Sequence, residues 1–596
     1  MYCMKLDIIK NKNETYYYVS KSIRRGKSVT NIRIHPIGSH SKLLKEHDDP
    51  LSYALEVVKK YNEEAKEKIL SFNEKIDFNE KIIKSDSDKS IKTTKNIGYL
   101  YLEKIFDDLK IDKFIEDNTK SYKFKFSLLN VLKLLTFSRI LEPKSKLSTF
   151  DNSNTYLKEF DLNLADIYRG LDVIDVLSIP LQSHLYSASN KIHKRKKTIL
   201  YYDCTNYYFE IENEDFDIVD DEGNIIEKGL RKYGISKENR PNPIVQMGLF
   251  IDEDGIPVSF CLNPGNTNEQ VTAIPLEKRI IKDYKMSKFI YCSDAGLGSN
   301  KIKEFNSFSN RAYIVSQSIK KMPVKEQELI FKDVNWKYLK DDKKVSIDLF
   351  KEILDKKLNG LVLKDNEEEY IKPDYIYKDY KYNDQRIIII FSKDTYIYQR
   401  TIFLKQKERA LQIIKNNKIK YSDKDIRRFI KSYSLSDDGE VIDKQKLDLD
   451  NKKIEKEEKY HGYYACNTNL DDDVRLIFKL NKNRWKIENC FRIMKTSFKS
   501  RPVYLQNEKR IKAHFTTCYL ALLIFSLLKT KLNNSNISDE QLLDTLKNMN
   551  IILNEKLNFG QAQYNNSIVL ETLENTFNLG LNYKNYDNKT IKKFKK

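Results

Sequence analysis

The residues best suited to chemistry are three acids spread over 285 positions. They are Asp203, at the end of the strand-like run Thr198-Ile199-Leu200-Tyr201-Tyr202-Asp203; Asp294, at the end of Phe289-Ile290-Tyr291-Cys292-Ser293-Asp294; and Glu488, in Asn483-Arg484-Trp485-Lys486-Ile487-Glu488-Asn489-Cys490-Phe491-Arg492-Ile493-Met494-Lys495. This last run reads as one helix, with no Gly or Pro to break it. At about 100° per residue, Arg484, Glu488, Arg492 and Lys495 share one sector, and Ile487, Phe491, Met494 and Phe498 form an adjoining apolar stripe. A surface helix with i,i+4 ion pairs would show the same spacing. Taken singly, each aspartate reads as a turn cap. Two strands that end in Asp, with one Glu on a packed helix, carry a different expectation. Burying an unpaired carboxylate is costly, and three hard oxygen donors suit two Mg²⁺ ions, with Mn²⁺ able to substitute. Two such ions can activate a nucleophile and stabilise a leaving oxygen in phosphodiester displacement. Arg484, Arg492 and Lys495 would then hold phosphates nearby. Trp485 adjoins them, as a core anchor or as a stacking platform. Lys499 and Arg501 extend the basic set.

The elements that must position these residues follow from the pattern. Strand-like runs at 198–203, 244–251, 256–262, 289–294 and 312–316, with helical spacing at 272–284, give the order β-β-β-α-β-α-β, a mixed sheet with an antiparallel start. Asp254-Gly255 marks a hairpin. Residues 1–45 read as a small β unit, with the basic turn Arg24-Arg25-Gly26-Lys27 between two strands. Residues 46–195 read as mainly helical, with a polar linker at Ser85–Lys95, and are expected to bind DNA ends. The sheet is divided into 196–319 and 460–535 by a β-rich insertion at 320–459, whose last charged stretch has an irregular character. Residues 536–596 read as a helical, basic tail with a disordered end.

Composition sets wider bounds. The chain has 596 residues, 40% hydrophobic, and a formal net charge of +20. A polyanion partner is the usual inference, but a bias towards Lys, Asn, Ile and Tyr explains part of the excess. Seven cysteines lack any CxxC pair, which argues against a zinc ribbon or disulfide framework. The longest apolar run, Tyr519–Leu528, is too short to span a bilayer and reads as a core helix. With no signal-peptide pattern, a soluble cytoplasmic protein without membrane partners is expected.

These residues together resemble the DDE transposases of bacterial insertion sequences. The matching segments are Tyr202-Asp203-Cys204-Thr205, the block from Asn239-Arg240-Pro241-Asn242-Pro243 through Asn263-Pro264-Gly265-Asn266-Thr267, Ser293-Asp294-Ala295-Gly296, and Arg484-x3-Glu488-x6-Lys495 against the family's Y-x2-R-x3-E-x6-K signature. The signature's Tyr position is Asn481, and His461 stands where relatives often carry Asp. The resemblance implies an α/β ribonuclease-H-like core interrupted by an insertion. It implies an enzyme that cuts DNA at element ends and joins the freed 3′-hydroxyl to target DNA, as a nucleoid-associated homodimer. Asp203, Asp294 and Glu488 would be the catalytic metal ligands, and Arg484, Lys495, Arg492, Trp485, Lys499 and Arg501 the DNA contacts. The alternatives are a metal-dependent structure-specific nuclease on the same fold and a transposase-derived DNA-binding regulator. The runs Arg24–Lys27 and Lys191–Lys197 are the expected sequence-reading contacts.

Overall fold

The computed structural model describes residues 4–11, 14–25, 28–67, 94–382, 385–416, 424–435, 441–533, 536–554 and 559–595. They form two compact units, Met1–Asp88 and Lys89–Lys596.

The first unit is an antiparallel meander of β1 (Met4–Asn11), β2 (Glu14–Arg25) and β3 (Ser28–Ser39), followed by a helix at Pro50–Glu67. Tyr17 and Val19, two apart on β2, are buried, as alternation on a strand requires. Of the basic turn, Arg24 and Arg25 pair with Val29 and Ser28; Gly26 and Lys27 lie outside the described residues. So do helical character beyond Glu67 and the linker up to residue 93. Thr94 and Lys95 are not linker but part of a strand, β4 (Thr94–Asn96).

In the second unit, helices Tyr99–Asp108, Ile111–Asn118, Leu128–Leu141, Lys146–Asp151 and Leu164–Ile192 follow β4. Side-chain caps start three of them: Ser127, Ser145, and an Asn163/Asp166 capping box. Next come β5 (Ile199–Tyr208), the small hairpin β6 (Ile218–Val219) and β7 (Ile225–Glu227), β8 (Ile244–Asp252), β9 (Pro257–Pro264), β10 (Ile290–Ser293), β11 (Ala312–Gln317), β12 (Lys337–Tyr338), β13 (Tyr375–Tyr382), β14 (Gln385–Ser392), the hairpin β15 (Ile430–Leu435) and β16 (Val441–Leu449), and β17 (Tyr463–Thr468). Nine of these make one sheet in the order β12-β13-β14-β17-β11-β10-β5-β8-β9. β5, β8 and β9 are antiparallel, β5, β10 and β11 are parallel, and β17 returns antiparallel to β11.

The insertion differs from expectation. It is not mainly β: helices Val324–Phe331, Ile347–Leu358, Asp365–Tyr370, Lys393–Asn416 and Asn451–Glu458 are interleaved with its strands. Of its charged end, the described residues from Val441 on form β16 and the Asn451–Glu458 helix, which Asp450 caps. Strands β12 to β14 also extend the main sheet. The reason is in the run Ile387–Phe391. Ile388 and Ile390 enter one core while Ile387, Ile389 and Phe391 enter another, so the strand must be covered on both faces.

The helical region 97–194 is not separate either. Its core is continuous with the sheet's through the helix Glu508–Leu532, which is apolar on all sides and buried. Among the described residues this is the one helix long and apolar enough to cross a membrane, and its apolar window is 89% buried within the fold. The basic tail is folded. β18 (Asn550–Asn554), β19 (Phe559–Ala562) and β20 (Asn585–Asp587) join β4 in a four-stranded sheet. The expected disordered end forms a helix, Asn588–Lys595, because Ile591 and Phe594, three apart, both find the core.

Candidate functional site

Asp203 lies in the middle of β5, not at its end, opposite Leu249 on β8. On its other side β5 pairs in parallel with β10, with Ile290, Tyr291 and Cys292 beside Ile199, Leu200 and Tyr201. β10 ends at Ser293, one residue before Asp294, and Asp294 is close enough for its charge to act on Asp203. Asp294 has left the strand and caps the turn Ala295–Leu297, its Oδ1 accepting the Leu297 N–H at 3.1 Å. Asp203 Oδ1 accepts the Cys204 N–H at 2.7 Å. Burial pushes the Asp203 carboxyl up to about 6; Lys237 opposes the rise and the charge of Asp294 adds to it. The Lys237 ammonium is held by the Cys204 carbonyl at 2.5 Å and by Glu269 at 3.0 Å.

The run 483–495 is not one helix. A helix at Val474–Lys482 ends in a turn at Asn483 and Arg484, a second spans Trp485–Arg492, and a π turn follows at Ile493–Ser497. The apolar stripe survives, with Ile487, Phe491, Met494 and Phe498 all buried. In the charged sector the helix keeps Arg484, Glu488 and Arg492 four residues apart, and only Lys495 lies in the π turn, which rotates less per residue. Arg484 Nη1 donates to Ser316 Oγ on β11 at 2.8 Å. Arg492 instead binds Asn489 and lies 3.6 Å from Asp539. Lys495 lies under β5: its Nζ is 5.5 Å from the Tyr207 ring centroid and 3.4 Å from Glu238. Burial and neighbouring Lys237 bring its ammonium down to about 8, with Asp203 opposing. Arg501 pairs with the same Glu238 and lies 5.7 Å from the Tyr208 ring centroid. Lys499 is exposed.

Glu488 is exposed, and among the described residues its carboxylate has no hydrogen-bond or ion-pair partner. It lines a cleft of about 480 Å³ with Ala295, Ser316, Asn481, Arg484 and Trp485. Trp485 is 56% exposed, so it is no core anchor. Asn481, at the signature's Tyr position, accepts from Ser316 Oγ at 3.5 Å. His461 is buried edge-on against Phe403, a packing role. Among the described residues no three His, Cys, Asp or Glu side chains converge tightly enough to hold a metal. The structure therefore brings Asp203 and Asp294 near each other, while Glu488 lines a cleft that also reaches Ala295, the residue after Asp294, but neither aspartate lines it. Two adjacent carboxylates, one with a raised affinity for protons, are a donor set that fits a hard divalent cation.

The sequence reading missed Lys237, Glu238 and Glu269. The first two directly precede the Asn239–Pro243 block, which was the available signal. The loop Asn263–Thr267 is anchored by Gln246, whose amide donates to the carbonyls of Gly265 and Thr267. In the expected contact run Lys191–Lys197, Arg195 is fully buried, 2.6 Å from Asp252, and also donates to the carbonyls of Ile256 and Pro257. It holds the sheet rather than facing solvent.

No family model matches the sequence, and no curated protein matches it. Among solved structures the chain is similar to a piggyBac transposase synaptic complex with hairpin DNA, seen by cryo-EM, at 7% identity and a TM-score of 0.34, covering 76% of this chain and 78% of that one. A likeness at that level carries no argument about function.

Proposed function

We propose that the chain is a DDE-type transposase of the bacterial insertion-sequence kind, with a ribonuclease-H-like core, acting on element ends and target DNA as a homodimer. The observation that carries this reading is the placement of Asp203 within β5 and of Asp294 just past the end of the adjacent parallel strand β10, near enough for Asp294's charge to act on Asp203. The strand order β9-β8-β5-β10-β11, antiparallel then parallel, supports the core assignment. Asp203 and Asp294 would hold Mg²⁺, with Glu488 as the further oxygen donor, and Mn²⁺ would fit the same donors. When bound, the metal would supply Lewis-acid polarisation of the scissile phosphodiester. Lys495, beside Asp203, and Arg484, in the cleft of Glu488, would bind backbone phosphates. Trp485 would present its exposed ring to a base. Above about pH 6 Asp203 is ionised and ready for a cation.

The test is a cleavage and strand-transfer assay in Mg²⁺ on DNA that carries the sequences flanking the gene. Asp203→Ala, Asp294→Ala and Glu488→Ala are each expected to abolish both steps while DNA binding persists. Near-normal joining by any one of them removes that residue from the set. Cleavage without joining by the unaltered chain would favour a nuclease on the same fold.

A further inference from the structure

A second cleft, of about 730 Å³, is lined in part by residues within 499–505. Arg139, Lys144, Lys146, Lys499, Arg501 and His514 line it, and no carboxylate does. Two of these cations are buried without a carboxylate partner. Arg139 donates to the carbonyls of Phe498, Lys499 and Lys144, and its Nε has no acceptor. Lys146, 6% exposed, donates to His514 Nδ1 at 3.1 Å. His514 Nε2 in turn faces the Ser500 carbonyl at 3.3 Å. That pair of contacts fixes a neutral imidazole with Nδ1 as acceptor, so His514 adds no charge but orients the ammonium. Lys144 and Arg501 have their own acids, Glu142 and Glu238, which do not line the cleft. The side chain of Lys499 is exposed and, among the described residues, unpaired.

Burying a cation without a counter-charge costs several kcal/mol in order of magnitude, and an anion in the cleft would offset that cost. The same strain shows in Lys146, whose ammonium burial and Arg139 bring down to about 7. Planar Arg139 and the Lys146 ammonium suit a phosphate group. Tyr168 also lines the cleft, and Tyr504, 69% exposed, gives it a free aromatic face.

We infer that this cleft is a phosphate-binding subsite, with Lys146 and Arg139 at its base and Lys499 at its rim, taking a backbone phosphate of a DNA strand whose base stacks on Tyr504. That the phosphate is a DNA strand's rests on the transposase reading; that the cleft takes an anion does not. Arg501, at its edge, lies against Tyr208, five residues along β5 from Asp203. At about 3.3 Å per residue that is roughly 17 Å, the span of a few nucleotides. The cleft would thus hold the strand beyond the reacting bond and contribute grip and register rather than chemistry.

The test uses the full chain carrying Asp294→Asn, so that binding is read without cleavage and independently of whether strand transfer occurs. A labelled single-stranded oligodeoxynucleotide is titrated over a series of NaCl concentrations. Lys146→Met is expected to weaken binding several-fold and lower the salt slope by about 0.7, one phosphate contact, with Lys146→Arg restoring the slope. Lys499→Asn, chosen because Asn tolerates the positive φ of 42° at this exposed site, is expected to do the same. It keeps the test open if Lys146→Met does not fold. Tyr504→Ala should weaken binding without changing the slope. In parallel, inorganic phosphate should raise the thermal unfolding temperature of the parent chain more than that of Lys146→Met. Stabilisation by phosphate with unchanged DNA slopes in both charge variants would assign the cleft to a free phosphate or nucleotide and overturn the DNA-strand assignment. No change in either measurement would overturn the site.

Discussion

At the residue scale, Asp203 is the most informative side chain. Its carboxyl is raised to about 6 from an ordinary 3.8, and at about 1.4 kcal/mol per unit the ionised form costs the fold roughly 3 kcal/mol. Because the folded-state value lies above the unfolded one, the folded chain binds the proton more tightly. Stability therefore rises as pH falls from above 6 towards 4. In metal-free buffer, Asp203→Asn should raise the urea midpoint at about pH 8, by an equivalent of up to about 3 kcal/mol, and leave it nearly unchanged near pH 4. Denaturation curves at the two pH values check this, and an equal effect at both would show that the carboxylate is not strained. Lys495 has the opposite sense. Its ammonium, brought down to about 8, is charged below that value and lost above it. Binding of element-end DNA should weaken several-fold between about pH 7 and pH 9, and Lys495→Arg, which stays charged, should remove that limb. Anisotropy titrations across the range decide it; a pH-independent wild type would detach Lys495 from the phosphates.

At the element scale, interruptions matter more than elements. Between the turn at Asn483–Arg484 and the π turn at Ile493–Ser497, Arg484, Arg492 and Lys495 have three different neighbours. Arg484 and Arg492 remain on one regular helix, and only Lys495 is re-aimed by the π turn. π turns of this kind recur at functional sites, and here one brings Lys495 under β5. The connection from the Leu164–Ile192 helix into β5 carries the opposite lesson. Its run of bases looks like a DNA contact, yet Arg195 is its anchor, buried against Asp252. Arg195→Ala should destabilise the chain by about 3–5 kcal/mol, the usual cost of breaking a buried pair. Lys191→Ala should stay within about 0.5 kcal/mol. Chemical denaturation of the two variants tests this, and equal small effects would return Arg195 to the surface.

At the scale of the whole molecule, the unit Lys89–Lys596 is closed by its own ends. β4 pairs with β18, Tyr101 donates to Glu574, and the Glu508–Leu532 helix fills the space between the helices and the sheet. Cutting the chain at residue 195, between helical region and sheet, would split one core. Removal of residues 1–88 should instead leave a soluble protein with an unchanged urea midpoint. If the first unit reads DNA sequence, that protein should lose its preference for the element's ends while retaining salt-dependent DNA binding. A loss of solubility on this deletion would join the two units into one.

What the sequence alone determined is local. Strand positions in 198–316, the hairpin at Asp254-Gly255, the apolar stripe Ile487/Phe491/Met494/Phe498 and the acids themselves were legible, because period and turn chemistry are written in neighbouring residues. Only the tertiary structure decided the rest. Asp294 comes near Asp203 through the parallel pairing of β5 and β10, strands 91 residues apart. The insertion's strands join the main sheet because Ile387–Phe391 needs cover on both faces. The basic tail folds because β4, some 450 residues earlier, supplies its partner edge. Arg139 and Lys146 gain meaning only where Lys499 and His514 come to meet them. Each of these depends on long-range packing and on where buried charge finds, or lacks, a partner, and neither is encoded in the spacing of adjacent residues.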